Sequence, residues 1–94
     1  MNAAQKLKEK RAQRKLLREL DELRVAKDLS KRTVERRLRV SKGYYNLFQA
    51  GTRRLQDRHL RAIRRWFPTM GKPVDVFLST RLALCKAKGF NGHA

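Results

Sequence analysis

The side chains best suited to molecular recognition lie in a short stretch near the middle of the chain. Asn46 presents an amide that can donate and accept side by side, the arrangement that pairs with adenine. Lys42 can donate to O6 or N7 of guanine, and Leu47 can pack on a thymine methyl group. Gly43 has no side chain with which to contact a base, but it lets the backbone approach the DNA closely. These groups could contact DNA bases, and Asn46 is the strongest base reader among them.

Groups suited to binding phosphate flank this stretch. Ser30 is placed at the start of a predicted helix, where free N–H groups attract an anion. Basic side chains come both before and after the central stretch, and neutralised phosphates contribute strongly to affinity for nucleic acid. The predicted phosphate-binding residues are Ser30, Lys31, Arg32, Thr33, Ser41, Tyr44, Arg53 and Arg54.

Two short amphipathic helices are predicted to position these side chains. The first has Ser30 as its N-cap, and Leu29 and Val34 stand where a hydrophobic staple forms. Val34 and Leu38 then recur four residues apart and give the helix one apolar edge.

The same pattern repeats at once in the second helix. Ser41 is its predicted N-cap, and Tyr45 and Phe48 form its apolar edge. Gly51 is placed to end the helix in a left-handed conformation. Only residues 39–40 remain for the turn, so the two helices must cross steeply. A steep crossing leaves the polar face of the second helix exposed.

These positions resemble the phage repressor/Cro-type helix-turn-helix family. The matching apolar, helix-cap and glycine positions are Val34, Leu38, Val40, Ser41, Tyr45, Phe48 and Gly51. The resemblance covers about residues 16–88 and implies an all-α domain of five helices. Two positions depart from it, because the family usually has a small residue where this chain has Glu35 and Gly where it has Arg39. Glu35 and Arg39 lie four apart, in the order that favours a helical ion pair.

The resemblance also implies a function. Residues 42–50 would enter the major groove of double-stranded DNA, and Arg53 and Arg54 would hold the opposite strand. The implied base-reading residues are Lys42, Gly43, Asn46 and Leu47. The chain is therefore predicted to be a sequence-preferring transcriptional regulator, such as a repressor, of phage, plasmid or bacterial origin. It would act in the cytoplasm, associated with the nucleoid.

The charge of the chain agrees with a polyanionic partner. Lys and Arg number 25 against 8 acidic residues, which gives a formal net charge of +17 over 94 residues. Repulsion among these charges opposes compaction, and nucleic acid would relieve it. A membrane partner is not expected, because no apolar run is long enough to span a bilayer. The single cysteine, Cys85, excludes an internal disulfide and fits a reducing cytoplasm.

Three segments divide the chain: a basic N-terminal arm (1–15), the helix-turn-helix domain (16–88) and a C-terminal tail (89–94). The arm has good helix propensity but almost no apolar residues to bury. By resemblance to the arms of some repressors, it would lie along or within a DNA groove. Its predicted contact residues are Lys6, Lys8, Lys10, Arg11, Arg14 and Lys15.

Three further helices complete the predicted domain. The first covers about residues 14–27 and could be continuous with the arm. The fourth covers about 56–67, buries Leu60, Ile63 and Phe67, and ends at Pro68. After a loop at 69–72, Pro73 begins the last helix, and Gly89 is its predicted C-cap. The predicted inner face of this helix is Val74, Phe77, Leu78, Leu82 and Cys85. Its apolar surface, with Phe77, Leu78, Leu82 and Leu84, also predicts a homodimer.

Neither an enzyme nor a bound cofactor is predicted. His59, His93 and Cys85 do not form a metal site at any standard spacing, and there is no glycine loop to cradle a phosphate. Two alternatives to a DNA-binding regulator stay open. A degenerate helix-turn-helix, marked by Glu35 and Arg39, would bind RNA polymerase or another regulator. An accessory protein would use the same basic faces to bind RNA.

Overall fold

The computed structural model describes the backbone of residues 2–93 and the side chains of residues 2–85. Across that part of the chain the regular structure is helical, which confirms the predicted all-α class with five helices. They are α1 (Ala3–Ala26), α2 (Lys31–Leu38), α3 (Tyr44–Ala50), α4 (Asp57–Trp66) and α5 (Gly71–His93), with a 3-10 helix at Pro68–Met70.

One apolar core joins the helices. Helix α1 packs against α3 and α5, while α4 packs against α2 and α5. The core positions predicted for α2 to α4 are confirmed, because each is at most 3% exposed: Val34, Leu38, Tyr45, Phe48, Leu60, Ile63 and Phe67. Leu16, Leu17 and Leu20 of α1 complete the core from one side. Each such side chain contributes roughly 1.5–3 kcal/mol when it is fully buried.

Helix α1 is continuous with the basic arm, as the sequence allowed, and part of the arm packs against the rest of the fold. Asn2 and Gln5 cap its start reciprocally, with bonds of 2.8 and 2.9 Å between side chains and backbone N–H groups. The helix then continues to Ala26 without a break. Glu9 and Gln13 are only 5% and 3% exposed. The apolar pattern misses this inner face because its residues are polar and are buried through hydrogen bonds.

The connection between α2 and α3 is longer than predicted. Helix α2 begins as expected, since Ser30 Oγ accepts from the Thr33 N–H at 3.0 Å. Helix α3, however, begins only at Tyr44. Residues 39–43 therefore join the two helices, and Ser41 is not the N-cap of α3.

Left-handed backbone conformations shape this connection. Arg39 has φ 57° and Gly43 has φ 95°. A Cβ at Gly43 would meet nothing within 4 Å, so its conformation, not lack of space, favours glycine there. At the end of α3, Gly51 has φ 77°, which confirms the predicted left-handed cap.

The start of α5 also differs from the prediction. Pro68 follows the end of α4, but residues 68–70 form a 3-10 helix and α5 begins at Gly71. The predicted loop at 69–72 is therefore wrong. Pro73 is the third residue of α5 and not the first, and it still lies in the first turn, where N–H groups have no partner within the helix.

The inner face of α5 is only partly as predicted. Val74 and Phe77 are buried, but Leu82 is 56% exposed and Cys85 is exposed as well. Arg81 occupies the buried position instead, seven residues after Val74 on the same stripe. The helix passes Gly89 and ends at His93, so the predicted C-cap and tail are wrong.

Candidate nucleic-acid interface

One side of α3 carries neutral side chains directed away from the core. Asn46 and Ala50 are exposed and Leu47 is half-buried, while Tyr45 and Phe48 on the opposite side are buried. We call Asn46, Leu47 and Ala50 the α3 face. Two of the four predicted base-reading residues, Asn46 and Leu47, therefore lie together. The other two, Lys42 and Gly43, precede the helix and are exposed in the connection.

A buried carboxylate fixes the start of α3. Glu35 is 3% exposed, and its Oε2 accepts from the N–H groups of Gly43 at 2.8 Å and Tyr45 at 3.0 Å. Its Oε1 lies 3.5 Å from Arg32. The predicted ion pair of Glu35 with Arg39 is therefore wrong, because the carboxylate turns inward to cap α3. A negative group at this helix end is also favoured by the helix dipole.

The carbonyl end of α3 is fixed from α1. Arg14 donates to the Ala50 carbonyl through Nε and Nη2, at 3.3 and 3.2 Å. Gln13 donates to the carbonyls of Phe48, at 3.0 Å, and Arg53, at 2.7 Å. Its Oε1 accepts from the Leu55 N–H at 3.0 Å. Gln13 thus bonds one backbone group of α3 and two of the segment that follows it, and such groups are costly to bury without a partner.

A lysine from α2 reaches the α3 face. Lys31 Nζ donates to Asn46 Oδ1 at 2.9 Å, and the same Nζ lies 5.8 Å from the Tyr45 ring centroid. The Asn46 acceptor is therefore occupied, while no intramolecular bond engages its Nδ2 among the described contacts. Lys31 can leave this bond by rotation alone, because its side chain is long and exposed.

Tyr45 links α3 to the end of α1. Its hydroxyl donates to Asp21 Oδ1 at 2.8 Å, and Arg24 Nε donates to the same oxygen at 2.9 Å. Burial and the hydrogen bond to Asp21 raise the pKa of Tyr45 well above its ordinary value. Burial alone would raise the pKa of Asp21, but the hydrogen bonds from Arg24 and Tyr45 lower it below the usual value. Tyr45 is thus both a core residue and a polar link.

The predicted phosphate-binding residues fall into two groups. Lys31, Ser41 and Arg53 are exposed, and the Arg53 guanidinium lies 5.5 Å from the Tyr44 ring centroid. Ser30 and Thr33 share a hydrogen bond of 2.8 Å between their hydroxyls. Arg32 points toward Glu35 and the Val40 carbonyl, and Tyr44 packs edge-on against Phe48. The second group is engaged within the protein, whereas the first group is exposed to solvent, although Lys31 bonds Asn46 and Arg53 lies over Tyr44.

Arg54 has a structural partner that the sequence did not reveal. Its Nε donates to Glu9 Oε1 at 2.5 Å, and Arg81 Nη2 donates to the same oxygen at 3.0 Å. Burial opposes ionisation of Glu9, but the two arginines hold the pKa of its carboxyl below the ordinary value. Burial, and then the charge of Arg54, lower the pKa of Arg81. This cluster ties α1 to α5 and to the segment after α3.

The basic residues of the first 15 positions lie on different sides of α1. Lys10 and Arg14 lie against the end of α3, where the Lys10 stem occupies the space that a Cβ on Gly51 would need. Lys6 lines a shallow depression beside them. Lys8, Arg11 and Lys15 are exposed and lie at other helical positions. Only part of the predicted arm therefore adjoins the α3 face.

Histidine 59 is a further buried polar group. It is 3% exposed, its Nδ1 accepts from the Gln56 N–H at 2.9 Å, and its ring centroid lies 5.1 Å from that of Phe48. Burial, and then the charge of Arg58, lower its pKa. His59 thus serves the start of α4 as a neutral cap.

Comparisons with protein-family models, with curated proteins and with solved structures find no match for this chain. Within the part of the chain that the structure describes, no helix is both long enough and apolar enough to cross a membrane.

Proposed function

We infer that the protein binds double-stranded DNA as a helix-turn-helix transcriptional regulator, of the kind found in phages, plasmids and bacteria. The observation that carries this proposal is a short helix fixed at both ends whose exposed face is neutral and has cations on both sides. Asn46 and Leu47 would meet base edges in the major groove. Lys31 before them and Arg53 after them would bind phosphates on either side of the groove.

The acidic residue Glu35 is compatible with DNA binding. An acidic residue on the surface between the two helices would repel DNA and would favour a protein partner instead. The Glu35 carboxylate is buried, and two backbone N–H groups and Arg32 surround it. Its negative charge therefore stabilises α3 without facing the DNA.

In the proposed DNA contact, Lys31 must release Asn46 before the Asn46 amide can pair with a base. Bidentate pairing with adenine needs both the acceptor and the donor of the Asn46 amide. Since Lys31 occupies the acceptor at 2.9 Å, it must move when a base is read. A DNA phosphate would attract the released ammonium group, so binding a base and binding the backbone would occur together.

Selection of bound sequences from random duplex DNA tests this function. The wild-type protein should enrich a common sequence that includes an adenine. Asn46→Ala should lose the preference at that position and keep its affinity for DNA in general, whereas Ser79→Ala, a neutral exposed change on α5, should leave the enriched sequence unchanged. Enrichment of the same sequence by Asn46→Ala would refute the role of Asn46.

The contribution of the basic arm residues to DNA binding is tested best by point substitutions. Deletion of residues 1–15 would also remove Glu9 and Gln13, which are buried in the fold. Lys10 and Arg14, beside α3, should contribute more to duplex affinity than Lys8 and Arg11.

A homodimer through α5 belongs to the same proposal. Leu82 is exposed and Leu84 half-buried, whereas Phe77 is 2% exposed and already used by the core. A dimer would place two α3 helices on half-sites about one helical turn apart and give a palindromic selected sequence. A monomeric mass in light scattering would refute it.

A further inference from the structure

A cleft of about 740 Å³ opens between the C-terminal half of α2 and the outer side of α4. Six arginines line it: Arg36, Arg37, Arg39, Arg58, Arg61 and Arg65. Trp66 forms one edge and is 47% exposed. We call these six arginines and Trp66 the arginine cleft.

The charge of the arginine cleft is not neutralised from within. In the part of the chain whose side chains are described, no carboxylate lies within 4.0 Å of any of these guanidinium groups. Ion pairs do form at the arginines Arg24, Arg32, Arg54, Arg64 and Arg81. The dipoles of α2 and α4 favour cations in their last turns, which accounts for Arg36, Arg37 and Arg65 but not for Arg58 and Arg61. A polyanion in the cleft would relieve the repulsion among all six.

Trp66 adds a flat surface beside these charges. The Arg37 guanidinium lies 5.0 Å from its ring centroid, and that of Arg65 lies 5.9 Å away. Arg37 also lies 5.7 Å from the ring of Phe67, which is buried. A half-exposed indole can stack on a base, and neighbouring arginines can donate to the phosphates on either side of that base.

The arginine cleft and the α3 face lie on different flanks of α2. Lys31 and Glu35 extend from α2 to α3, where they bond Asn46 and the start of that helix. Arg37 extends in the other direction, to the end of α4. A ligand in the cleft would therefore use a surface that the proposed duplex contact does not need.

Both the size and the chemistry of the cleft favour a single strand. Its volume falls in the range of roughly 300–1,000 Å³ that holds small ligands, which suits one or two nucleotides and not a duplex. In a duplex the bases are stacked inside, so none would be free for Trp66. An acidic peptide would match the charge but has no base to stack. We propose that the arginine cleft binds single-stranded nucleic acid, with a base on Trp66 and phosphates on the arginines of α2 and α4.

Trp66 is the only tryptophan of the chain, so its fluorescence reports directly on the cleft. Titration of the full chain with oligodeoxythymidine should quench this fluorescence. The affinity should fall with salt, with a log-log slope of about 0.7 for each contacted phosphate. Equal quenching by a duplex of the same length, or by polyglutamate, would overturn the proposal, because neither offers an unpaired base.

Variants test the two parts of the proposed site through the anisotropy of a labelled strand. Arg61→Gln should weaken binding severalfold, while Arg18→Gln, which removes the same charge from an exposed position on α1, should have little effect. Trp66→Ala should weaken binding by roughly ten- to a hundredfold, the loss expected for one stacked base, and Trp66→Phe should retain most of the affinity. Equal effects of Arg61→Gln and Arg18→Gln, or wild-type binding by Trp66→Ala, would overturn the proposal. Asn46→Ala should bind the strand as the wild type does.

Discussion

The α3 face and the arginine cleft both lie beside α2 and in basic surroundings, yet their construction is opposite. The α3 face offers neutral side chains on a helix whose two ends are fixed by Glu35, Gln13 and Arg14. The arginine cleft offers charged side chains that no counter-charge among the described residues 2–85 holds in place. Reading a base edge requires a side chain held to a narrow geometry, whereas attracting a phosphate requires mainly charge. Under the two proposals, the α3 face would read duplex DNA and the arginine cleft would hold a single strand.

The chain contains both arginines that are bonded to a carboxylate and arginines that have only basic neighbours. Arg81 is buried and bonded to Glu9, while Arg61 lines the cleft without an acidic partner among the described side chains. The first ties helices together, and the second raises the electrostatic energy of the folded state. Stability measurements on single substitutions should therefore separate structural arginines from binding arginines.

The largest expected effect comes from Glu9→Gln. The substitution leaves Arg81 buried without its anionic partner, so the free energy of unfolding at neutral pH should fall by about 3 kcal/mol. Chemical denaturation followed by circular dichroism measures it. Glu19→Gln, a change of the same charge elsewhere on α1, is the control and should cost little. Equal losses in both variants would show that the cluster is not structural.

The pH dependence of stability is a second test of the Glu9 cluster. Because the folded-state pKa of Glu9 lies below its ordinary value of 4.5, its contribution is fully present above that value and is lost as the pH falls through the folded pKa. The stability difference between wild type and Glu9→Gln should therefore shrink progressively below about pH 4.5. A difference that stays constant down to the acid transition would contradict the assigned pKa direction.

Glu35→Ala should disrupt the α3 face and leave the arginine cleft intact. It leaves the N–H groups of Gly43 and Tyr45 without their acceptor, at a cost of about 2 kcal/mol. Glu35→Gln keeps an acceptor and should cost about half as much. Sequence selection by the alanine variant should weaken, while quenching of Trp66 by a single strand should persist. Loss of both activities together would mean that the two surfaces are not independent.

Lys31→Met should produce a smaller change, confined to duplex binding. Removal of one phosphate contact should lower the log-log salt slope by about 0.9 for the selected duplex, on which pairing of Asn46 with a base releases Lys31 to the backbone. The matched control is Lys72→Met on α5. Fluorescence anisotropy over a salt series measures both slopes, and identical slopes would remove Lys31 from the proposed interface.

The smallest effect concerns Arg61→Gln in the absence of nucleic acid. Because Arg61 has neighbours of like charge and, within the part of the chain with described side chains, no acidic partner, its removal should leave the free energy of unfolding unchanged or raise it by about 0.5 kcal/mol. Arg81→Gln should lower it instead. A clear destabilisation by Arg61→Gln would assign that arginine to the fold.

The sequence predicted the elements that depend on apolar spacing and on caps. Val34, Leu38, Tyr45 and Phe48 recur at helical intervals, and the cap at Ser30 is local in sequence. Hydropathy carries no signal for a buried polar residue, so Glu9, Gln13 and Arg81 were not recognised. A partial signal was present in α1, because Glu9 and Gln13 continue the stripe of Leu16 and Leu20 at intervals of three to four residues.

The site was less predictable than the fold for a related reason. Asn46 and Leu47 could be assigned to an exposed face from helical periodicity alone. That Glu35, rather than Ser41, caps α3 depends on how two helices approach each other, which no local pattern encodes. The arginine cleft likewise joins residues 36–39 with residues 58–66, and their charges are interpretable only once α2 and α4 are side by side.

The most direct test of two separate surfaces is a titration of both ligands on one sample. The protein is first saturated with oligodeoxythymidine until Trp66 is quenched, and a labelled duplex carrying the selected sequence is then added. We predict that the duplex binds, as its anisotropy rises, while Trp66 remains quenched. Recovery of Trp66 fluorescence in proportion to duplex binding would show a single shared site and contradict the account.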